Sequence, residues 1–274
     1  MSGKPASSLP HLDDHTVDGL VDLAGVTDVV EAAFAAWGRG DAATTQRVRS
    51  DASGAMASAM AAVAPPYSGG KVYATKQGSF TFLIVLFDMD GRLLCTLDGA
   101  AETMVARARS SGIPAVAAPT ATAAVADADV IVTATQSTTP LFTASAIGDR
   151  TLVCAVGSTK YDRCEIGPDV VERCATVVCD DVVGSRVECG DLIHAAATGR
   201  FDWARAIELR DVVAGAVDVE RAGTAPVLFE TQGVALQDVA AAGLAFERYT
   251  AKHSTQPTAL FTSQTVPTVR KDAV

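Results

Sequence analysis

The 274-residue chain is poor in the residue types that mark several specialised protein classes. Basic side chains are outnumbered: Lys and Arg total 22 against 32 Asp and Glu, a net charge of −10, and no basic cluster interrupts the sequence. A phosphate-backbone partner needs clustered cations, so nucleic acid is excluded as the expected ligand. Long apolar runs are missing too. The most apolar stretch, residues 80–87, is far too short to cross a bilayer, so no membrane partner is expected. Met1–Pro10 has no apolar core, so no secretory leader is expected there and the expected location is the cytoplasm.

Histidine is scarce and dispersed, at His11, His15, His194 and His253. The six cysteines (Cys95, Cys154, Cys164, Cys174, Cys179 and Cys189) form no CxxC pair. A zinc site needs closely spaced thiolate and imidazole ligands, so no metal is expected and reduced, mostly buried thiols are. A Gly-rich turn after a strand is also lacking. Gly38-Arg-Gly-Asp-Ala-Ala43 has the GxGxxA spacing but follows a helical pattern, which is the wrong context for a dinucleotide turn.

What is present is ordinary globular material, 49% hydrophobic and 20% charged, long enough for one large domain or two modest ones. Residues 26–38 have helical periodicity, with Thr27 or Asp28 as N-cap. Residues 70–75 and 80–88 are β-branched and aromatic, residues 88–91 make a hairpin turn, and residues 93–97 return. A helix is expected over 100–109. After Gly112 short Val-rich runs (113–117, 130–135, 152–156, 176–179) alternate with helical ones (120–126, 168–174, 191–198). Continuous apolar strands separated by helices predict a parallel sheet buried on both faces, of three or four strands. A last helix is expected from Ala235 to about Tyr249.

Five segments, in order, resemble the ornithine cyclodeaminase/mu-crystallin family. They are Leu86-Phe-Asp-Met-Asp-Gly91, Leu97-Asp-Gly-Ala-Ala-Glu-Thr103, Asp127-Ala-Asp-Val-Ile-Val-Thr-Ala-Thr135, Ala155-Val-Gly-Ser158 with Glu165-Ile166, and Phe229-Glu-Thr-Gln-Gly-Val-Ala-Leu-Gln-Asp238. The resemblance implies an α/β protein with an N-terminal α+β dimerisation lobe (1–105 with 225–274) and a Rossmann-like parallel lobe (106–224), working as a homodimer. It implies chemistry on the imine of an amino acid, with NAD(P). It places a substrate lysine at Lys71 and a carboxylate-binding arginine at Arg47. Charge-assisted hydrogen bonds from two such cations would orient an amino acid, although solvated surface cations would look the same in sequence.

Three departures from the family pattern redirect this expectation. Residues 107–112 run almost directly into the later strands, so the first βαβ unit with its glycine turn is expected to be missing and the Rossmann-like lobe truncated. Thr159 stands where cyclodeaminases carry a catalytic Asp. Glu102 stands where the family has an apolar residue, and the following family arginine falls on Ala106, with Arg107 as a substitute. A partly buried Glu102 would have a raised pKa suited to proton transfer; as a helix N-terminal carboxylate it would merely favour the dipole. Ser158 and Thr159 follow a strand end, where open α/β sheets bind ligands.

The leading expectation is therefore an enzyme without cofactor: a Pictet–Spengler-type, β-carboline-forming condensation of tryptophan or a similar amine with a carbonyl compound. In it Glu102 and Lys71 are catalytic, and Arg47, Lys71, Arg107, Ser158 and Thr159 bind substrate. Two alternatives are an NAD(P)-dependent amino or imino acid dehydrogenase or reductase, and a non-catalytic small-molecule binding protein.

Overall fold

The computed structural model describes residues 9–76, 79–98, 117–219 and 224–253. Helix α1 (Asp14–Asp18) is followed by α2 (Leu23–Gly38), which starts three residues earlier than its periodicity suggests, because the Asp22 side chain accepts from Gly25 N at 2.7 Å and caps it. Around them lies a seven-stranded sheet. Its order is β1 (His11–Leu12), β7 (Leu93–Asp98), β6 (Ser79–Asp88), β5 (Tyr67–Lys76), β4 (Ala55–Ala64) and β2 (Ala43–Thr44), with β3 (Val48–Ala52) also on β4. All neighbours are antiparallel except β1 with β7. The β6–β7 turn closes because Asp88 accepts from Arg92 N and Asp90 N, while Gly91 takes φ 79°.

Alternation sorts this sheet into two faces. One cross-strand row reads Met60, Lys71, Ile84, Leu97 and Leu12, and it points at α2 and the last helix, α8 (Ala235–His253). Phe34, Leu12, Leu86 and Leu236 are among its largest buried side chains, each contributing about 1.5–3 kcal/mol. Helix α8 fits against the sheet through Gly243, where a Cβ would lie 2.5 Å from the Tyr67 ring. The row behind it (Val48, Ala59, Val72, Leu83) faces away from the helices; Val48, Val72 and Leu83 are exposed. This face bears a shallow apolar groove of about 740 Å³.

The second sheet is wholly parallel, in the order β11 (Ala206–Glu208), β10 (Thr176–Cys179), β12 (Val227–Glu230), β9 (Leu152–Ala155) and β8 (Val130–Thr133). It has five strands, more than expected, because the three-residue β11 and the motif strand β12 both join it. Helices α3 (Ala121–Val125), α4 (Pro168–Arg173), α5 (Val182–Glu188), α6 (Gly190–Ala197) and α7 (Leu209–Val213) connect it. Ile131, Val153, Leu228 and Val177 form its buried row under α4 and α6. The boundary drawn at residue 225 is corrected here: β12 pairs with β9 and β10, so the chain crosses back to the first lobe only at residues 231–234. The expected helix over 100–109 and strand over 113–117 lie outside the described residues. Among those described, no helix is long and apolar enough to cross a membrane, and none of the six cysteines is disulfide-bonded.

Candidate functional site

The two lobes meet along a narrow cleft of about 10 Å³ lined by Arg47, Gln46, Asp181, Glu188 and Gln232 among others. The antiparallel lobe brings cations to it. Arg47 precedes β3, Arg49 lies within it, and both point at Glu188, the last residue of α5. Arg47 Nη1 donates to Glu188 Oε2 at 2.7 Å, and Arg49 donates to the other oxygen. Arg47 Nη2 donates to the carbonyls of Gln232 (2.6 Å) and Gly233 (3.0 Å), and Arg49 also reaches Thr159 O at 3.3 Å. The Arg47 side chain is only 8% exposed, so this is a buried pair whose strength depends on every donor being matched.

Lys71 stands on the helix-facing side of β5, and its Nζ donates to Asp238 Oδ1 at 3.1 Å from 4.4 Å above the Phe82 ring. Asp238 occupies the first turn of α8. Burial pushes its pKa up, and Lys71 and then Arg47 pull it back down. The two cations assigned through the family resemblance thus pair with different carboxylates, Arg47 with Glu188 and Lys71 with Asp238. The carboxylate of Asp238 feels both charges, although only Lys71 touches it.

The wall contributed by the parallel lobe is built on Asp180 and Asp181, directly after β10. Asp180 accepts from Thr231 Oγ1 (2.6 Å) and Gly233 N (2.7 Å), and this shapes the turn whose carbonyls hold Arg47. Burial raises the Asp180 pKa, and these hydrogen bonds oppose the rise. Asp181 caps α5 through Val183 N and Gly184 N and accepts from Gln46 across the cleft. Ser185 Oγ donates to Gln232 Oε1 at 2.6 Å.

Of the remaining expected residues, Ser158 is buried: its Oγ accepts from Asp191 N at 3.1 Å, at the start of α6. Thr159 meets the cleft through its carbonyl alone, by way of Arg49. Glu102 and Arg107 lie outside the described residues. Glu188, Gln232, Asp180 and Gln46 were not anticipated. An acidic residue two positions before the Gly190-Asp191 helix start was the only local signal for Glu188.

A dinucleotide requires free backbone N–H groups at a strand-to-helix turn for its pyrophosphate. The described turns at the carboxyl end of the parallel sheet do not offer them. After β8 and β9, Thr135 N and Gly157 N both donate to the buried Glu165 carboxylate, and a Cβ on Gly157 would sit 2.2 Å from Thr135 O. After β10, the N–H groups of Val183, Gly184 and Gly233 are taken by Asp181 and Asp180. Carboxylates fill the places that phosphate oxygens would need, so the described turns do not fit a pyrophosphate.

Comparison with known proteins places this geometry. Residues 83–253 match the model of the ornithine cyclodeaminase/mu-crystallin family. Over 113 residues (41% of this chain, 33% of the relative) the sequence is 45% identical to Delta(1)-pyrroline-2-carboxylate reductase 2 of Burkholderia ambifaria. The match thus spans about a third of that relative's length. The probable ornithine cyclodeaminase of Bordetella pertussis superposes with a TM-score of 0.83 at 31% identity, over 90% of this chain and 99% of that one. The Thermococcus litoralis Delta(1)-pyrroline-2-carboxylate reductase, solved with NADH and L-proline, superposes with a TM-score of 0.81 at 19% identity, over 89% and 98% of the two chains. These relatives overturn two expectations: Pictet–Spengler-type cyclisation and operation without a cofactor. Two of them are named as reductases of Delta(1)-pyrroline-2-carboxylate, and one of these was solved with NADH and L-proline.

Proposed function

The chain belongs to the ornithine cyclodeaminase/mu-crystallin family, and from that premise we propose that it is a reductase or dehydrogenase acting between an α-imino acid and the matching α-amino acid. A nicotinamide nucleotide, NADH or NADPH, would supply or accept the hydride. One observation carries the reading: Lys71 on β5 pairs with Asp238, whose carboxylate also feels the charge of Arg47, itself paired with Glu188 of the second lobe.

In this reading Arg47 grips the substrate carboxylate and Lys71 holds a proton beside the imine nitrogen. Asp238 aims Lys71 by accepting its hydrogen bond at 3.1 Å, with the Phe82 ring on the other side of the ammonium. Arg49 balances Glu188, leaving Arg47 with donors to spare. Ser158 and Thr159 shape the cleft from behind, through α6 and through Arg49 respectively. The described turns do not cradle the nucleotide, because their N–H donors are held by carboxylates of the chain.

We also propose that the family's first βαβ unit is absent: only 22 residues separate Asp98 from Ala121 (99 to 120), and among the described residues β8 has a partner on one side only. The bare apolar face of the antiparallel sheet supports a homodimer formed through it, since a monomer rarely leaves so large an apolar area uncovered. The deciding experiment incubates the protein with Δ1-pyrroline-2-carboxylate and either NADH or NADPH, following nucleotide absorbance and proline by mass spectrometry. Stoichiometric proline is expected. Full retention of the imine with both nucleotides would overturn the proposal.

A further inference from the structure

The parallel lobe buries two carboxylates that face no cation. Glu230 closes β12, Asp191 is the second residue of α6, and both are fully buried. Asp191 Oδ1 accepts from Glu165 N at 2.8 Å, but its Oδ2 and both oxygens of Glu230 have no N–H or O–H partner. The titratable groups turned towards the pair are Glu165, Asp180 and the thiols of Cys164, Cys174, Cys179 and Cys189. Arg173 and Arg205, the cations nearby, are committed to the carbonyls of Ala144, Ile147 and Cys174.

A short length of backbone joins each carboxylate to the groups that hold the lobes together. Just after Glu230 come the carbonyls of Gln232 and Gly233, which hold Arg47. Just before Asp191 stands Glu188, on which Arg47 and Arg49 both close. Asp191 N donates to Ser158 Oγ at 3.1 Å, beside the Thr159 carbonyl that Arg49 reaches. The α5–α6 junction has no slack, since a Cβ on Gly190 would run into the Arg163 carbonyl. The cleft under this seam measures about 10 Å³, room for about one water, so any larger ligand requires the lobes to part.

Two interacting carboxylates in a dry site cannot both ionise without moving apart or admitting water. We propose that Asp191 and Glu230 form a proton-operated latch on the lobe seam. While either keeps its proton, the α5–α6 junction stays seated against the end of β12 and the cleft is shut. When both ionise, the junction is pushed away, which releases Glu188 and the Gln232 and Gly233 carbonyls from the two arginines and opens the cleft. Burial raises Asp191 to about 7 against the N–H donors of Ile166 and Glu165, so opening belongs to the neutral and alkaline range. Burial, and then repulsion by Asp191, hold Glu230 up as well. The latch is independent of which ligand the cleft takes and of the reductase reading.

The test is tryptic cleavage of the wild type between pH 6 and 8, read by mass spectrometry. Cleavage after Arg47 and Arg49 is taken relative to cleavage after Arg39, whose side chain is 58% exposed, which removes the protease's own pH dependence. The ratio should rise roughly tenfold as the seam opens with each lobe still folded. Asp191→Asn keeps an oxygen for Glu165 N but cannot ionise, and should hold the ratio near its pH 6 value, as should Glu230→Gln. A level wild-type ratio would overturn the latch, and so would a rise undiminished in either variant. Cleavage after Arg173 and Arg205, anchored inside the parallel lobe, rising together with that after Arg47 would mean that the lobe melts, and would overturn it too. Should neither variant fold, small-angle scattering of the wild type decides: a radius of gyration that grows over the same pH interval supports the latch, and a constant one overturns it.

Discussion

The two lobes handle charge in opposite ways. Among the described residues, all six buried carboxylates (Glu165, Asp180, Asp181, Glu188, Asp191 and Glu230) belong to the parallel lobe. The core of the antiparallel lobe is built from aliphatic and aromatic side chains around α2 and α8, and its contributions to the cleft are the cations Arg47, Arg49 and Lys71. The join between the lobes is therefore an electrostatic seam. The first lobe owes its stability to buried area, which is insensitive to pH. The second carries ionisable groups whose burial makes its stability depend on protons.

The harshest break of the seam is Arg47→Ala. It strands Glu188 with Arg49 as its only cation and leaves the carbonyls of Gln232 and Gly233 without their donor. Removing one partner of a buried pair costs about 3–5 kcal/mol, so a large drop in melting temperature is expected. Loss of the carboxylate grip should lower kcat/KM for the imine by roughly a thousandfold, equivalent to about 4 kcal/mol. Glu188→Gln should be milder on both counts, because both arginines keep an acceptor. Equal losses in the two variants would show that the seam acts through Glu188 alone.

The pH contrast comes next in size. Asp191 is raised from 3.8 to about 7, chiefly by burial, with Glu165 adding repulsion and N–H donors from Ile166 and Glu165 opposing. Between those values the folded protein keeps a proton that the unfolded chain has released. Stability from this group is thus complete below pH 3.8 and is lost as pH rises towards 7, a decline of about 4 kcal/mol. Glu230, pushed well above 4.5 by burial and by Asp191, adds to the decline. Urea denaturation from pH 5 to 8 should show falling stability, and Asp191→Asn should flatten it. A wild-type curve that rises over this range would place the ionised carboxylates in contacts that the structure does not contain.

These contrasts also explain what could be read in advance. Strands β5, β6 and β7 and helix α8 were legible because long β-branched or helical patterns leave few alternatives. Strand β4 was not. Its AMASAMAAVA composition favours helix, and only tertiary contact reveals that Met60, Ala62 and Ala64 go inward while Ala57 and Ala61 stay out. Arg47 and Lys71 were reachable only through the family spacing, since nothing local marks them. Glu188 and Gln232 were out of reach because they lie 141 and 185 residues beyond Arg47 and meet it only when the lobes close. The inference that a missing glycine turn means cofactor-free cyclisation failed for a different reason. Losing a cradle says how a ligand can no longer be held; it does not say which reaction remains.

The bare face of the antiparallel sheet sharpens the comparison further. If it pairs with a second copy, Val72→Arg places a charge in the middle of the apolar face, 54% exposed in the isolated chain, without disturbing the helix-facing row. The dimer should weaken at least a hundredfold, about 3 kcal/mol, in sedimentation velocity, while the melting temperature extrapolated to low concentration stays put. A dimer untouched by this variant would have to form elsewhere.

The smallest expected effect tests the outer edge of the parallel lobe. Among the described residues strand β8 has a partner on one side only, and Val130 and Val132 are 53% and 54% exposed there, whereas Ile131 between them is buried against Val153. An open, valine-rich edge is an invitation to pair with another chain, and a lysine is the usual deterrent. Val132→Lys should change stability by less than about 0.5 kcal/mol, because it removes no buried contact. Ile131→Ala on the same strand should cost about 2–5 kcal/mol. Should Val132→Lys prove as damaging as Ile131→Ala, the edge is covered in solution, and the parallel lobe, like the antiparallel one, depends on a surface beyond its own fold.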